Sequence, residues 1–355
     1  MNILITGAFG FVGTNLSNSL SSAVDSRLIA LDVAEAVSHE YNEYHSWDIL
    51  EKINGKDIDA IIHLAGKAHD TKNTSEEKVY FDINVGLTEK IFEFFLKSNA
   101  SKFIFFSSVK AAADSVEGNH LTEHAEPKPG TPYGKSKLEG ERYIEKRLAE
   151  WESARGREGE EAKGRELVTE RGGEGAKGRK GEEEICLERE RRKDKKVYIL
   201  RPCMIHGPGN KGNLNLLYKI VSKGIPWPLG AYHNKRSFTS VDNLNFIIKR
   251  IIDSDVEPGT YHIADDEPVS TNRLIQLIAE SKGEKARIWE PGKSIINGLA
   301  RIGDLLHLPL NSERLKKLTE SYVVSNEKLK QALGVEKLPV SAEEGLRRTL
   351  ESFNK

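Results

Sequence analysis

The sequence predicts an α/β fold: a doubly wound parallel sheet followed by a smaller C-terminal lobe. Three observations carry the prediction. Short apolar runs alternate with amphipathic stretches through the first half, the pattern of buried strands joined by crossover helices. The first run turns into a helix across Gly7, Gly10 and Gly13. The chain has 355 residues, which exceeds one minimal core and suits a large α/β unit plus a second lobe.

The elements follow in order. Ile3, Leu4 and Ile5 read as a buried strand, Thr6-Gly7 closes it, and a helix starts near Phe11. A strand that turns straight into a helix aims its first backbone N–H groups, and the positive end of the helix dipole, at one spot. Glycines at 7, 10 and 13 suit that turn, because a Cβ would hold a pyrophosphate off the backbone and keep the helix from the sheet. Arg27 to Leu31 reads as the second strand, with Asp32 at its C-terminal tip. A carboxylate there accepts hydrogen bonds from adenosine ribose hydroxyls and repels a 2′-phosphate, so the pattern favours NAD over NADP.

Trp47-Asp48-Ile49 comes next. Asp48 either accepts from the adenine amino group or is an exposed loop aspartate, and Ile49 is grouped with it. Ala60 to Gly66 reads as a further strand ending in small residues. Leu64, Ala65 and Gly66 are where a cofactor lies against the backbone, and His63 inside the strand is expected to be a satisfied structural histidine. Val79 to Asn99 has helical period. Asn84 within it invites a reason, either a bond to the neighbouring strand's backbone or a place near the nicotinamide. Lys102 to Phe106 reads as a central strand running into Ser107-Ser108.

A helix opens at Tyr133 after a turn rich in proline. Tyr133 and Lys137 stand four apart and so share a face, and no other of the ten tyrosines has that spacing. A phenol titrates near ~10, and a neighbouring ammonium is expected to pull it down. Lys137 can also bond the nicotinamide ribose. Ser108 can hold the substrate oxygen while Tyr133 moves its proton and the nicotinamide carries the hydride.

Beyond, Val197 to Leu200 resumes the sheet and Arg201-Pro202 leaves it. His206 to Gly209 is expected to be a loop with no chemistry assigned to His206. Asn213 opens a helix; Val241 starts another, with Asp242 as its expected N-cap; Tyr261 to Ala264 reads as a strand; Ser270 or Thr271 caps a helix through Ser281. Leu315 to Phe353 reads as helical and polar-faced.

Read in order, TGAFGFVG, HLAG, NVGLT, SSVK, PYGKSK and LRPCMIHGPG resemble the extended short-chain dehydrogenase/reductases, in their NAD-dependent epimerase/dehydratase family. The stretch from Lys211-Gly212-Asn213 through Pro228-Leu229-Gly230 to Lys235-Arg236-Ser237-Phe238 is most similar to the UDP-glucose 4-epimerase-like subgroup, which includes UDP-N-acetylquinovosamine-type 4-ketoreductases. The resemblance implies a Rossmann-type sheet with a C-terminal substrate-binding lobe, and Ser108, Tyr133 and Lys137 as the catalytic triad. It implies Pro202 among the cofactor residues, and Ser108, Asn213 and Arg236 as substrate-binding. A fork-shaped guanidinium suits a diphosphate; otherwise Arg236 is a solvated strand-edge charge. The implied activity is at C4 of a UDP-hexose, of epimerase type. The alternatives are NAD(P)H-dependent reduction of a UDP-4-keto-sugar and a non-catalytic dinucleotide-binding protein. A 4,6-dehydratase is disfavoured by Val109 and Lys110, where such enzymes carry acid–base carboxylates. Relatives imply a homodimer formed through the helices that start near Val79 and Tyr133.

Composition bounds the rest. Net charge is −1, so no strong field draws in nucleic acid or a membrane. Two cysteines imply no disulfide framework and fit a reducing compartment, and the apolar N-terminus is expected to be a core strand rather than a signal peptide, so a cytoplasmic protein is expected. No metal is expected. Residues 155–196 carry 14 Lys+Arg, 12 Asp+Glu and 8 Gly and read as a low-complexity, disordered insert. The expected division is a dinucleotide-binding domain at 1–205 and a substrate-binding lobe at 206–355, with segments able to return to the first domain.

Overall fold

The computed structural model describes residues 1–21, 26–33, 40–67, 76–169, 194–210, 212–306 and 311–354; side chains are described for these except 157–169 and 213. Nine strands are described. They are β1 (Asn2–Thr6), β2 (Arg27–Asp32), β3 (Glu43–Ser46), β4 (Ala60–His63), β5 (Lys102–Phe106), β6 (Lys196–Pro202), β7 (Met204–His206), β8 (Phe238–Ser240) and β9 (Gly259–Ile263). Seven form one sheet in the order β3-β2-β1-β4-β5-β6-β9, and β7 pairs with β8. The pairings from β3 through β5 are all parallel. The order reverses direction between β1 and β4, so a crevice opens there at the C-terminal strand ends.

The chain forms two compact units. The first comprises residues 1–13, 20–111 and 129–199, the second residues 14–19, 112–128 and 200–355. In the first unit α1 (Phe11–Ser21) begins, and α2 (Glu77–Lys97), the short α3 (Val109–Ala112) and α4 (Pro132–Thr169) follow. β-Branched and aromatic residues make its strands, since both sheet faces are covered. Ile91, Phe92 and Phe95 of α2 bury against Leu4, Ile61, Phe103 and Ile199, with Ile144 of α4 in the same cluster. Outside that core Arg147 of α4 grips Glu93 of α2 through both carboxylate oxygens, at 2.6 and 3.1 Å.

α4 begins with Pro132 at the position where a missing N–H costs nothing, and the Thr131 hydroxyl accepts from Gly134 N at 3.2 Å. It runs to Thr169, into the segment expected to be disordered. After Pro132 no proline stands within this helix, so every later residue to Thr169 can donate to the helical ladder. Residues 170–193 of that segment lie outside the described residues, and β6 already begins at Lys196.

The second unit holds β7, β8, β9 and helices α5 (Asn213–Ser222), α6 (Val241–Asp253), α7 (Thr271–Glu280), α8 (Lys293–Leu306), α9 (Ser312–Thr319), α10 (Glu327–Leu333) and α11 (Ala342–Ser352). Leu214, Phe238, Leu277, Ile278, Leu346 and Leu350 form its main core. Three expectations are corrected. His206 ends a strand rather than opening a loop, because its ring is buried with Nδ1 2.9 Å from Thr349 Oγ1. The N-cap of α6 is Ser240, whose hydroxyl accepts from Asn243 N, while Asp242 faces outward to Arg348 at 2.9 Å. The end of the chain is three separate helices whose Leu315, Leu329, Leu333, Leu346 and Leu350 are buried, so it is not polar-faced throughout.

Candidate active site

Parallel pairing puts the C-terminal ends of β1, β2, β3, β4 and β5 on one edge. Thr6 is in register with Leu31 and His63, His63 with Phe105, and Asp32 with Ser46. The glycine loop, Asp32, Asp48, the 64–66 segment and Ser108 all follow directly from those ends.

The loop after β1 is built for close approach. Gly7 has φ +68°, and a Cβ on it would lie 2.7 Å from Ala65 N. A Cβ on Gly13 would lie 2.3 Å from Ala8 O and 2.6 Å from Gly7 O, so α1 packs against the loop only with glycine there. Asp32 accepts from Phe9 N at 3.0 Å and Val33 N at 2.7 Å, which fixes the carboxylate beside the loop. Tyr41 Oη donates to Ala8 O at 3.1 Å, and Phe9 packs between Tyr41 and Tyr44. Neither tyrosine carried a sequence signal. Glycine at 7 and 13 keeps side chains out of this loop, and an acidic group stands a strand-width away, the arrangement that suits a dinucleotide's pyrophosphate and ribose. Asp48 lies exposed on the 3-10 turn Trp47–Lys52, next to Ile49.

The β4 end is knitted to the helices. His63 is fully buried; its Nδ1 lies 2.6 Å from Thr6 Oγ1 and its Nε2 3.0 Å from Thr88 Oγ1. Burial, then the charge of Lys137, holds its pKa well below the usual value, so it is a neutral structural ring. Asn84 accepts from Lys67 N at 2.7 Å and donates to Ser136 Oγ at 2.9 Å, and Ser136 in turn donates to Tyr133 O at 2.8 Å. Asn84 thus ties the loop after β4 to the first turn of α4. A Cβ on Gly66 would meet Asn84 Oδ1 at 2.8 Å and Lys137 Nζ at 3.1 Å, so only a glycine lets these groups converge.

Ser108, Tyr133 and Lys137 come together in the first unit. β5 ends at Phe106, and Ser108 accepts from Lys110 N at 3.2 Å as it opens α3. The Ser108 hydroxyl is hydrogen-bonded to Tyr133. A Cβ on Gly134 would lie 2.3 Å from Lys110 O, so the start of α4 sits directly on the segment after Ser108. Lys137, one turn on, is buried and donates to Phe106 O at 2.9 Å.

The electrostatics differ from expectation. Burial pushes the Tyr133 phenol up, the hydrogen bond with Ser108 counters it, and Tyr80 adds to the rise. The phenol is thus raised rather than lowered, while Lys137 donates to the Phe106 carbonyl and is itself lowered to about 8 by burial, with Glu141 opposing. Sequence reasoning missed Glu141 and Tyr80. Glu141 is buried and bonded to Ser107 Oγ, and its i,i+4 spacing from Lys137 was a usable signal. Tyr80 meets Tyr133 edge-on at 6.3 Å and carries Lys67 over its ring at 5.6 Å.

In the second unit, Pro202 is buried at the end of β6. Asn213 is the first residue of α5, and its side chain lies outside the described residues. Arg236 exchanges backbone bonds with Val269 at 3.0 and 2.8 Å. Its Nη2 donates to Lys317 O, its Nε has no partner among the described residues, and burial lowers its pKa. His120 and His124 do stand at H-x-x-x-H spacing, but on an irregular turn. Among the described residues no group of three or more His, Cys, Asp or Glu side chains is placed to hold a metal.

The fold and this edge define a nucleotide-binding α/β enzyme. Residues 3–154 match the NAD dependent epimerase/dehydratase family. UDP-glucose 4-epimerase of Vibrio cholerae is 26% identical over 99% of this chain and 95% of its own length. N-acetyl-alpha-D-glucosaminyl-diphospho-ditrans,octacis-undecaprenol 4-epimerase of Escherichia coli O157:H7 is 27% identical over 80% of this chain and 73% of its own. The crystal structure of UDP-glucose 4-epimerase from Thermotoga maritima with UDP-glucose superposes with a TM-score of 0.68 at 20% identity, covering 100% of this chain and 99% of that one. The match over residues 3–154 and these relatives support an extended short-chain dehydrogenase/reductase enzyme of the NAD-dependent epimerase/dehydratase family.

Proposed function

We propose that the protein is an NAD-dependent UDP-hexose 4-epimerase. The observation that carries this reading is the Ser108–Tyr133 hydrogen bond, with buried Lys137 one turn on, at the same sheet edge as the glycine cradle. The names of the Vibrio and Thermotoga relatives support the substrate class.

In this reading the first unit holds NAD. The N–H groups around Gly7, Gly10, Phe11 and Gly13 take its pyrophosphate and Asp32 its adenosine ribose, with Asp48 and Ile49 beside it. Leu64, Ala65, Gly66 and Asn84 would bound the nicotinamide half and Lys137 would bond its ribose; Pro202 is assigned to the cofactor on the family resemblance alone. NAD, when bound, supplies a hydride acceptor and donor. Ser108 holds the C4 oxygen of the sugar. Tyr133 accepts the C4 hydroxyl proton and later returns it from the same oxygen. The raised phenol pKa means that Tyr133 needs a positive neighbour to act as a base near neutral pH, and Lys137 freed from Phe106 O is the group on hand. On the family resemblance, Asn213 and Arg236 are the residues for the UDP diphosphate; the Arg236 guanidinium is partly buried, with no partner for its Nε among the described residues. The enzyme works in the cytoplasm as a homodimer formed through α2 and α4, and no helix among the described residues is long and apolar enough to cross a membrane.

The test is a panel of UDP-hexoses, UDP-4-keto-sugars and one polyprenyl-diphosphate sugar, with products read by NMR with and without NADH. The expected result is C4 epimerisation of a UDP-hexose without net NADH use, lowered at least ~100-fold in Tyr133→Phe. Stoichiometric NADH consumption would instead make it a 4-ketoreductase, and NAD binding with no turnover of any sugar would make it a non-catalytic binder.

A further inference from the structure

Helix α8 carries one wide apolar face with a buried and an exposed half. Ile296, Ala300 and Gly303 face inward, where Ile296 and Ala300 pack with Leu229 and Leu315 and against Trp227 and Tyr232. Ile295, Leu299, Ile302 and Leu306 recur at i, i+4, i+7 and i+11, so they form a second stripe, with Leu305 beside it. Each of these five is at least half exposed, and Leu305 is 78% exposed. Trp289, just before the helix, is 61% exposed, and Leu318 of α9 adds another open apolar side chain. A buried helix end or a solvated face explains none of this, because large aliphatics at this period and exposure normally mark a contact surface.

Charge says what the surface contacts. Residues 289–319 carry Lys293, Arg301, Arg314, Lys316 and Lys317 against Glu290, Asp304 and Glu313, a net +2 in a chain whose total is −1. A protein partner's interface core is depleted of charge and takes roughly 800 Å² from each side. One stripe of five aliphatic side chains on a helix about 21 Å long falls well short of that. An apolar stripe with a tryptophan at one end and cations around it is the signature of a helix that lies in the headgroup layer of an anionic bilayer. We propose that α8, with Trp289 and the cations of α9, attaches the protein reversibly to an anionic membrane surface. The helix lies on the bilayer and does not span it, consistent with the described helices being too short or too polar to cross. The proposal departs from the sequence expectation that nothing draws the chain to a membrane, which rested on net charge summed over the whole chain.

The experiment is co-sedimentation with vesicles of phosphatidylcholine and phosphatidylglycerol at about three to one, using the full chain with no substrate present. The wild type is expected to bind these vesicles at least ~10-fold more tightly than pure phosphatidylcholine and to be weakened by salt. The double variant Leu305→Glu/Leu306→Glu is expected to lose at least ~10-fold in binding with an unchanged thermal midpoint, since both side chains already face water. Vesicles should also blue-shift the tryptophan emission of the wild type but not of Trp289→Phe. Absence of binding to anionic vesicles overturns the proposal, as does binding that the double variant leaves unchanged. A double variant that binds as the wild type but halves the mass seen by light scattering would assign the stripe to a second copy of the chain. No sugar turnover enters these readouts, so their outcome is independent of the epimerase reading.

Discussion

Replacing Lys137 with methionine is expected to stabilise the protein while abolishing its activity. A lysine ordinarily titrates at 10.5, and burial lowers Lys137 to about 8. At about 1.4 kcal/mol per pH unit, keeping it charged in the folded protein at pH 7 costs roughly 3 kcal/mol. Methionine fills similar space without that cost but leaves the Phe106 carbonyl without its donor, a loss of about 1–3 kcal/mol. The net expectation at pH 7 is a gain of about 1 kcal/mol. The pH dependence has a definite sign. Between about 8 and 10.5 the unfolded chain holds a proton on Lys137 that the folded protein has released, so the wild type gains stability as pH rises through that window and the variant does not. Urea titrations of both proteins at pH 7 and pH 9.5 measure this, with sugar turnover followed in parallel. The reasoning fails if Lys137→Met is clearly less stable at pH 7 and the difference between the two proteins does not change with pH.

Three further outcomes are expected. Gly13→Ala sets a Cβ 2.3 Å from Ala8 O, so it should weaken NAD binding at least ~10-fold by calorimetry and lower the thermal midpoint, because backbone on both sides cannot give way. Asn84→Ala removes the tie between the loop after β4 and α4; urea titration should show a loss of about 1–3 kcal/mol, and kcat should fall more than KM changes. His262 is buried, and burial, then Arg201, holds its pKa to about 4 against a usual 6.5, so unfolding takes up a proton and stability drains as pH falls from 6.5 toward 4. His262→Leu should remove that part of the acid slope, which chemical denaturation at pH 6.5 and 4.5 resolves.

The elements that the sequence reveals are those whose local chemistry agrees with the fold. The runs Ile3–Ile5, Leu28–Leu31 and Phe103–Phe106 are uninterrupted apolar stretches buried on both faces, so length and composition alone mark them as strands. Gly7 and Gly13 are legible because a backbone contact under 3 Å admits no other residue. The Tyr133–Lys137 spacing puts the two on one helical face but does not reveal the pKa of the phenol, which burial raises. The acceptor of the ammonium, the Phe106 carbonyl, lies 31 residues away. Asp242 and Ser240 both have capping side chains, and only the backbone of residue 240 decides between them. Helix α8 has a one-sided apolar period, but the sequence does not divide that wide face into its buried and exposed halves. The charged segment 155–169 read as disorder on composition, whereas a helix already nucleated and packed from Pro132 extends one residue at a time at little cost.

The most direct test of the central claim follows a deuterium placed at C4 of the UDP-hexose that the protein turns over best. With no added NADH, the account predicts that NMR finds the deuterium retained at C4 of the epimerised sugar, and that Tyr133→Phe slows its appearance at least ~100-fold. Loss of the label to solvent, or unchanged epimerisation in Tyr133→Phe, would contradict it.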